Sequence, residues 1–376
     1  MTAPTSRRVV ITQPYVPAYR ERLLGLVVEG LAEVRVDTHV FYGGDVEQMR
    51  RRRERGDLVE PPWATEVPVR TVRVGRGGRH LLRRVVPPGW RDAVLVTEMQ
   101  AGNLDALSAA LRGRPYVTWG HGASYTSDEV GLAERWEAWL NRRARHVLTY
   151  TDAGRRHVVE TARVPADRVT SFGNSTDTRT LRRERDALDA GAVDAYRAAV
   201  GLPTDARAAL LLGALNEHKL PELVVQTART VLRRDPAAWL LVAGDGPARG
   251  LFEGLAAETG RVVLLGQVDA RGTARAAAVS RVLLNPGRVG LVAVDALVLG
   301  LPVLTSDAGR HAPEIEYLTE GSDLFTVPAT PTDLADAWLR LTAQDRRPRT
   351  DGEVPSTEAA AERIVRAVHA VVMEAA

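Results

Sequence analysis

The sequence predicts an α/β protein built from two doubly wound domains of similar size, each a parallel sheet covered by helices. Three observations carry this. At 376 residues the chain exceeds one ordinary α/β layer, and a hydrophobic content of 45% supplies two cores. Short apolar runs alternate with segments of helical period, the pattern of parallel sheets with crossover helices. The alternation then restarts after the small polar stretch Asn174-Ser175-Thr176-Asp177-Thr178, which suits an interdomain crossing. The expected domains are residues 1–173 and 174–350, with a terminal helix over 356–376.

In chain order, Arg8 to Thr12 is a strand, Gln13 to Pro17 a loop, and a helix runs from about Tyr19 to Leu31. Val34 to Tyr42 alternates as the next strand. Residues 43–62 are charged and poorly periodic, a long connection with room for one helix. Val67 to Val74 is a strand broken by Gly75 to Gly78, and Ala93 to Thr97 and Tyr116 to Trp119 are strands around a helix from Asn103 to Leu111. A helix from Leu132 to Arg145 leads to a strand at Val147 to Tyr150, and Arg168 to Phe172 is the domain's last strand.

In the second half, Arg182 to Val200 is helical and Ala208 to Leu212 is a strand running into Gly213. A helix from Pro221 to about Arg234 has proline in its first turn. Trp239 to Ala243, Val262 to Leu265, Arg281 to Leu284, Val303 to Thr305 and Leu324 to Val327 are strands; helices run from about Leu291 to Gly300 and from Thr332 to Leu341. Residues 345–355 form a Pro- and charge-rich linker before the amphipathic Thr357 to Glu374.

Composition removes several classes of function. With Cys 0 there is no disulfide framework, thiolate nucleophile or cysteine metal site. No apolar run approaches the roughly 18 residues of a membrane span, and MTAPTSRRVV lacks the apolar core of a signal peptide, so a cytoplasmic protein is expected. The net charge of +3 is uneven, with 27 Arg against 20 acids in residues 1–175. Between Arg50 and Arg91, 12 Arg meet 4 acids, with Trp63 and Trp90 interleaved. Such a face fits peripheral contact with the inner membrane surface or a phosphate-bearing acceptor, and a solvated arginine face is the plain alternative. Nucleic acid is not an expected partner.

The stretch from Asn285 to Gly309 reads as loop, helix and strand. Asn285, Pro286 and Gly287 stop an apolar run, and Gly290 permits a tight turn just before the helix. Free amides converge at such a helix start, where the macrodipole is positive, and hold an anion. Asp295 stands one turn in. Of the 50 basic residues 49 are Arg, and the single Lys is Lys219. A compact ammonium kept in a chain that otherwise uses guanidiniums marks a candidate phosphate contact. Gly244-Asp245-Gly246-Pro247 ends a strand with glycines that admit a flat ligand. His121, between Gly120 and Gly122 at the carboxyl end of a strand, is the imidazole best placed to face a crevice. No G-x-G-x-x-G or G-x-x-x-x-G-K-[ST] loop is present, which argues against dinucleotide binding and NTP hydrolysis.

The order Gly213…Lys219, Ala243-Gly244-Asp245-Gly246-Pro247, Gly266, then Pro286…Gly290-Leu291-Val292…Gly300-Leu301-Pro302-Val303 resembles the second domain of the retaining nucleotide-sugar glycosyltransferases of family 4, bacterial mannosyl- and glucosyltransferase type. Their fold is GT-B, two Rossmann-like domains facing a cleft. Asn174 to Thr178 matches the family's interdomain N-G-x-D-T, and Pro313-Glu314-Ile315 its P-E-[IV] turn. The resemblance implies donor contacts at Gly213, Lys219, Gly244, Asp245, Gly246, Gly266, Gln267, Val268, Gly287, Arg288, Val289, Gly290, Leu291, Val292 and Asp295. His121 corresponds to a family histidine beside the donor sugar. Tyr15, Tyr19, Arg20, Trp119 and His121 are placed near the acceptor, and the terminal helix is expected to pack back on the first domain.

The chain departs from that pattern at three positions. The family's Glu-x7-Glu becomes Gly287 and Asp295, and its phosphate-binding Arg becomes Ala214. Arg288 is the candidate for the missing charge. The implied reaction moves a sugar from a nucleoside-diphosphate sugar to an acceptor hydroxyl with retention of configuration. Lys219, Arg288 and the helix-start amides would stabilise the leaving diphosphate, with His121 positioning the sugar. No metal or other cofactor is called for. The acceptor is a glycan, a lipid-linked sugar or a small molecule. Two alternatives stand beside it: a sugar-nucleotide-binding protein or partner subunit that has lost turnover, and a nucleotide-sugar epimerase of the same architecture.

Overall fold

The computed structural model describes residues 7–54, 56–74, 79–122, 132–308, 310–344 and 354–375. Gly75 to Gly78, Gly309 and most of the 345–355 linker lie outside the described residues. The chain divides into two compact units, one made of Met1–Thr176 with Ser356–Ala376 and the other of Asp177–Pro355.

The first unit runs β1 (Arg8–Gln13), α1 (Glu21–Glu33), β2 (Asp37–Tyr42), α2 (Val46–Glu54), β3 (Ala64–Glu66), β4 (Val69–Val74), β5 (Arg79–Arg84), β6 (Val94–Glu98), α3 (Leu104–Leu111), β7 (Tyr116–Gly120), α4 (Leu132–Arg143), β8 (His146–Thr149), α5 (Asp152–Glu160) and β9 (Val169–Ser171). Seven of these strands pair in parallel in the order β3-β2-β1-β6-β7-β8-β9. The apolar runs of the central β1 and β6 are those of strands covered on both faces. Leu23, Leu24, Val27 and Leu31 of α1 recur every three to four residues and enter one core with Val9, Ile11 and Val96. Asn103 caps α3, its side chain accepting from the Asp105 amide, which is why the helix starts one residue later than its sequence pattern.

One expectation is corrected in this unit. The strand expected from Val67 to Val74 is not part of the parallel sheet, because β4 pairs antiparallel with β5 as a separate two-stranded ribbon. The gap between these strands is far too short for a parallel crossover, which needs a dozen or more residues. Several arginines of the basic stretch have acidic partners. Arg50, Arg51 and Arg53 each pair with a glutamate, Arg52 pairs with Asp57, and Arg84 is 4% exposed against Asp105. Trp63 and Trp90 pack against the cores. Among the described residues no helix is long and apolar enough to cross a membrane.

The second unit runs α6 (Thr178–Asp186), α7 (Ala190–Ala199), β10 (Arg207–Leu212), α8 (Pro221–Arg234), β11 (Ala238–Ala243), α9 (Arg249–Thr259), β12 (Val262–Gly266), α10 (Ala270–Ala278), β13 (Ser280–Leu284), α11 (Val292–Leu299), β14 (Val303–Ser306), β15 (Leu324–Val327) and α12 (Pro331–Ala343). The single helix expected over 182–200 is two helices, because Asp189 turns the chain and caps α7 through the Ala192 amide at 2.7 Å. Six parallel strands lie in the order β12-β11-β10-β13-β14-β15. Alternate residues feed separate cores: Leu210, Leu241 and Leu283 enter one, and Leu211, Leu240 and Leu284 the other. The strand order reverses between β10 and β13, so the loops leaving those two strands flank a crevice.

The last helix, α13 (Thr357–Ala375), belongs to the first unit. Its Ala360, Ile364, Val368 and Val372 join the core that holds α1, and the Gly30–Val365 contact is close enough that a Cβ at Gly30 would stand 3.0 Å from the valine.

Candidate functional site

Lys219 ends a turn of 3-10 helix at Glu217–Lys219, which Asn216 caps by accepting from the His218 amide at 3.1 Å. The chain leaves this turn through Leu220 in the left-handed region, φ 51°, a conformation unfavourable for a branched side chain. The turn is fixed against the next loop by the Arg288 amide, which donates to His218 O at 2.7 Å. Together they border an open cavity of about 390 Å³ that brings Lys219, Gly213, Ala214, Arg288, Gly290 and Asp295 to one place.

The loop after β13 is tied at several points. Asn285 Nδ2 donates to Arg288 O, the Val289 amide donates to His311 Nδ1 at 3.2 Å, and Val289 O accepts from the Ala312 amide. The amides of Arg288 and Val289 are thereby used. Those of Gly290, Leu291 and Val292 have no protein acceptor among the described residues, as expected of a helix's first donors. All three residues line the cavity. Burial pushes the Lys219 ammonium down from 10.5 to about 8, and the Asp295 carboxylate opposes that shift. A cation and three unused amides at the positive end of a helix are groups that suit a diphosphate chemically.

Gly287 has a different explanation from a lost carboxylate. A Cβ there would lie 2.1 Å from His218 O and 2.8 Å from the Lys219 Cα. The residue is small because the lysine turn packs directly on it. Gly244 and Gly246 likewise admit protein backbone where a flat ligand was expected: Cβ atoms there would lie 1.9 Å from Gly213 O and 2.5 Å from Leu215 O. Asp245 caps the Gly246 amide at 2.8 Å. Gly266 ends β12, two strands from β10, and Gln267 and Val268 follow it; none of the three lines this cavity, and Val268 packs on the core. His311 carried no sequence signal, because its role depends on a loop that returns to Val289 from 22 residues later.

In the first unit a second set of expected residues meets at the carboxyl end of the sheet. Arg20 Nη2 donates to Tyr150 OH at 2.6 Å, and its guanidinium lies over the rings of Tyr19, Trp119 and Tyr150 at 5.5, 5.4 and 5.0 Å. His121 meets Tyr150 edge to face at 4.6 Å. Gly122, φ 85°, packs on Gly154, where a Cβ would lie 2.6 Å from the carbonyl, so glycine is required there by neighbouring backbone. Trp119 is 2% exposed and stacks on Phe172, which makes it a support for Arg20 within the core. Tyr19 remains 48% exposed. Tyr15 carries Arg52 over its ring at 4.9 Å, and burial pushes its hydroxyl up to about 12. Tyr150 and Glu98 carry no motif that sets them apart in the sequence. Burial raises the Glu98 carboxyl while Arg84 and Arg20 oppose the shift.

Comparison with known proteins agrees with this fold. The family model described as Glycosyltransferase Family 4 matches residues 21–180, and that described as Glycosyl transferases group 1 matches residues 206–344. A glycosyltransferase model thus matches most of each unit, and the fold is that of GT-B structures. Among curated relatives, the alpha-D-kanosaminyltransferase of Streptomyces kanamyceticus is 26% identical over 62% of this chain, and the match spans 63% of that relative's length. Among solved structures, Anabaena Alr3699/HepE in complex with UDP covers 98% of each chain at 15% identity and TM-score 0.60. The UDP-GlcNAc 2-epimerase of Methanocaldococcus jannaschii covers 96% of this chain and 99% of its own at 13% identity and TM-score 0.58. At such identities the structures share the fold.

Proposed function

We propose that the protein transfers a sugar from a nucleoside-diphosphate sugar to an acceptor hydroxyl with retention of configuration. The carrying observation is the convergence of Lys219 with the amides of Gly290, Leu291 and Val292 in one cavity of the second unit. Departure of the diphosphate builds negative charge on its oxygens, and these groups meet that charge more strongly in the transition state than in the bound donor. Asp295, on the first turn of α11, is the group that accepts from the ribose hydroxyls. Arg288 supplies the second cation that Ala214 does not. The first unit contributes His121 and the Arg20–Tyr19–Tyr150 cluster on the acceptor side. The chemistry needs no metal, since protein cations and amides take the leaving group's charge.

Uridine is the base we favour, on the UDP held in complex by the Anabaena protein. The kanosaminyltransferase relative supports a small-molecule acceptor. The test is a thermal-shift screen of nucleoside diphosphates and their sugars, followed by release of nucleoside diphosphate with candidate acceptors. UDP stabilisation lost in Lys219→Ala, with release only when acceptor is present, is the expected result. Stabilisation with no release under any acceptor would favour a binding protein or partner subunit. The epimerase among the structural neighbours defines the other reading, in which the sugar would change configuration with no acceptor present.

A further inference from the structure

A second cavity, of about 440 Å³ and entirely within the first unit, is lined by Arg70, Arg83, Arg84, Arg91, Arg112 and Arg114 against two acids, Asp92 and Asp105. These six guanidiniums are engaged to different degrees. Arg84 is committed to the protein, meeting Asp105 Oδ2 at 2.8 Å and Gly43 O at 3.0 Å, with Glu98 at 3.7 Å. Arg112 donates to Ser108 Oγ. Arg114 donates to Ala93 O at 2.7 Å and Trp90 O at 3.2 Å. It has no carboxylate within ion-pair distance among the described residues, and burial pushes its guanidinium down to about 10. Arg70, Arg83 and Arg91 have neither a hydrogen-bond acceptor nor an ion pair among the described residues.

Register makes this arrangement costly. Arg70 and Arg83 are direct cross-strand partners on β4 and β5. Like charges placed opposite each other in an antiparallel pair oppose the pairing. Acids are available in this part of the chain, because Arg50, Arg51 and Arg53 each reach a glutamate. The ribbon thus sets two arginines together on a cavity that the partly buried Arg114 also lines, without the neutralisation given to the arginines of α2.

We propose that this cavity binds a phosphate-type dianion carried by a small molecule, with Arg70, Arg83 and Arg91 meeting its oxygens. Guanidinium forks match phosphate oxygens in geometry, and several of them around one dianion remove the repulsion that the free site carries. The volume exceeds that of phosphate alone and leaves room for the rest of a phosphomonoester. The site lies apart from the Lys219 cavity in residues and in unit, and it stands whether or not the chain is a transferase.

The test is calorimetric titration of the full chain with inorganic phosphate and with glycerol 3-phosphate, using wild type, an Arg70→Thr/Arg83→Thr double variant and Lys219→Ala. Lys219→Ala removes any phosphate binding at the diphosphate site. The expected result is binding to wild type and Lys219→Ala, weakened at least tenfold in the double variant, with glycerol 3-phosphate bound no more weakly than phosphate. In phosphate-free buffer the double variant should melt no lower than wild type, because a like-charge pair has been removed, and phosphate should raise the melting temperatures of wild type and Lys219→Ala more than that of the double variant. Equal affinity in the double variant, loss of binding in Lys219→Ala only, or a double variant that melts lower in phosphate-free buffer would each overturn the proposal. So would cosedimentation with phosphatidic acid vesicles that requires Arg70 and Arg83 while neither soluble phosphate binds, since the headgroup source would then be a membrane.

Discussion

Lys219 links the site to pH. Its ammonium is lowered to about 8, and a bound diphosphate favours the charged form, so binding near pH 8 should take up a proton. Calorimetry in buffers of different ionisation enthalpy should detect that uptake in wild type and not in Lys219→Arg, whose guanidinium is charged throughout. Donor affinity should fall between pH 7 and pH 9 in wild type and stay flat in the arginine variant. The stability linkage has the opposite sense. A cation whose folded value lies below its unfolded one costs stability below about pH 8, and the cost fades as pH rises toward 10.5. Lys219→Met should therefore be more stable than wild type at pH 7 in the absence of ligand, with the gap closing by pH 10. Gly287 is decided by space: Gly287→Ala puts a Cβ 2.1 Å from His218 O and should cost about 1–3 kcal/mol in urea unfolding, with donor binding weakened as the lysine turn shifts. An unchanged midpoint and affinity would return Gly287 to being a simple loss.

Among the elements, α11 and α13 carry the most testable consequences. Leu291 precedes α11 with φ −54°, a value proline adopts without strain. Leu291→Pro removes one unused amide and leaves the helix intact, so nucleoside diphosphate affinity should drop several-fold to tenfold with little change in melting temperature. If affinity is unchanged, the helix start does not hold the diphosphate. For α13 the prediction concerns stability. Val368 is fully buried in the first unit's core, and Val368→Asp places an unpaired carboxylate there, at a cost on the order of 3 kcal/mol or more. A change under about 1 kcal/mol in urea unfolding would mean that α13 is an accessory to that core.

For the molecule as a whole, connectivity makes the two units unequal. The second unit is one continuous segment, whereas the first is closed only by α13 from the far end of the chain. Residues 177–355 expressed alone should fold cooperatively and retain nucleoside diphosphate binding, since every group lining the Lys219 cavity lies within them. Residues 1–176 alone lack the Ile364–Val372 face and should expose that core, measurable as dye binding or aggregation. A well-folded 1–176 segment would contradict the packing described for α13.

The sequence by itself determined the two parallel sheets, the helix beginning at Leu291 or Val292 and the singular standing of Lys219, because apolar period, a Gly-bounded turn and a lone ammonium are local or compositional signals. Tertiary structure alone decided what the glycines are for. Gly122, Gly244, Gly246 and Gly287 each face another stretch of backbone, and close approach between segments distant in sequence leaves no periodic trace. The same reason hid Tyr150, Glu98 and His311, and it turned Arg84 from a surface charge into a buried ion pair while setting Arg70 against Arg83. Composition counts charges, and only register and packing choose which of them meet a partner.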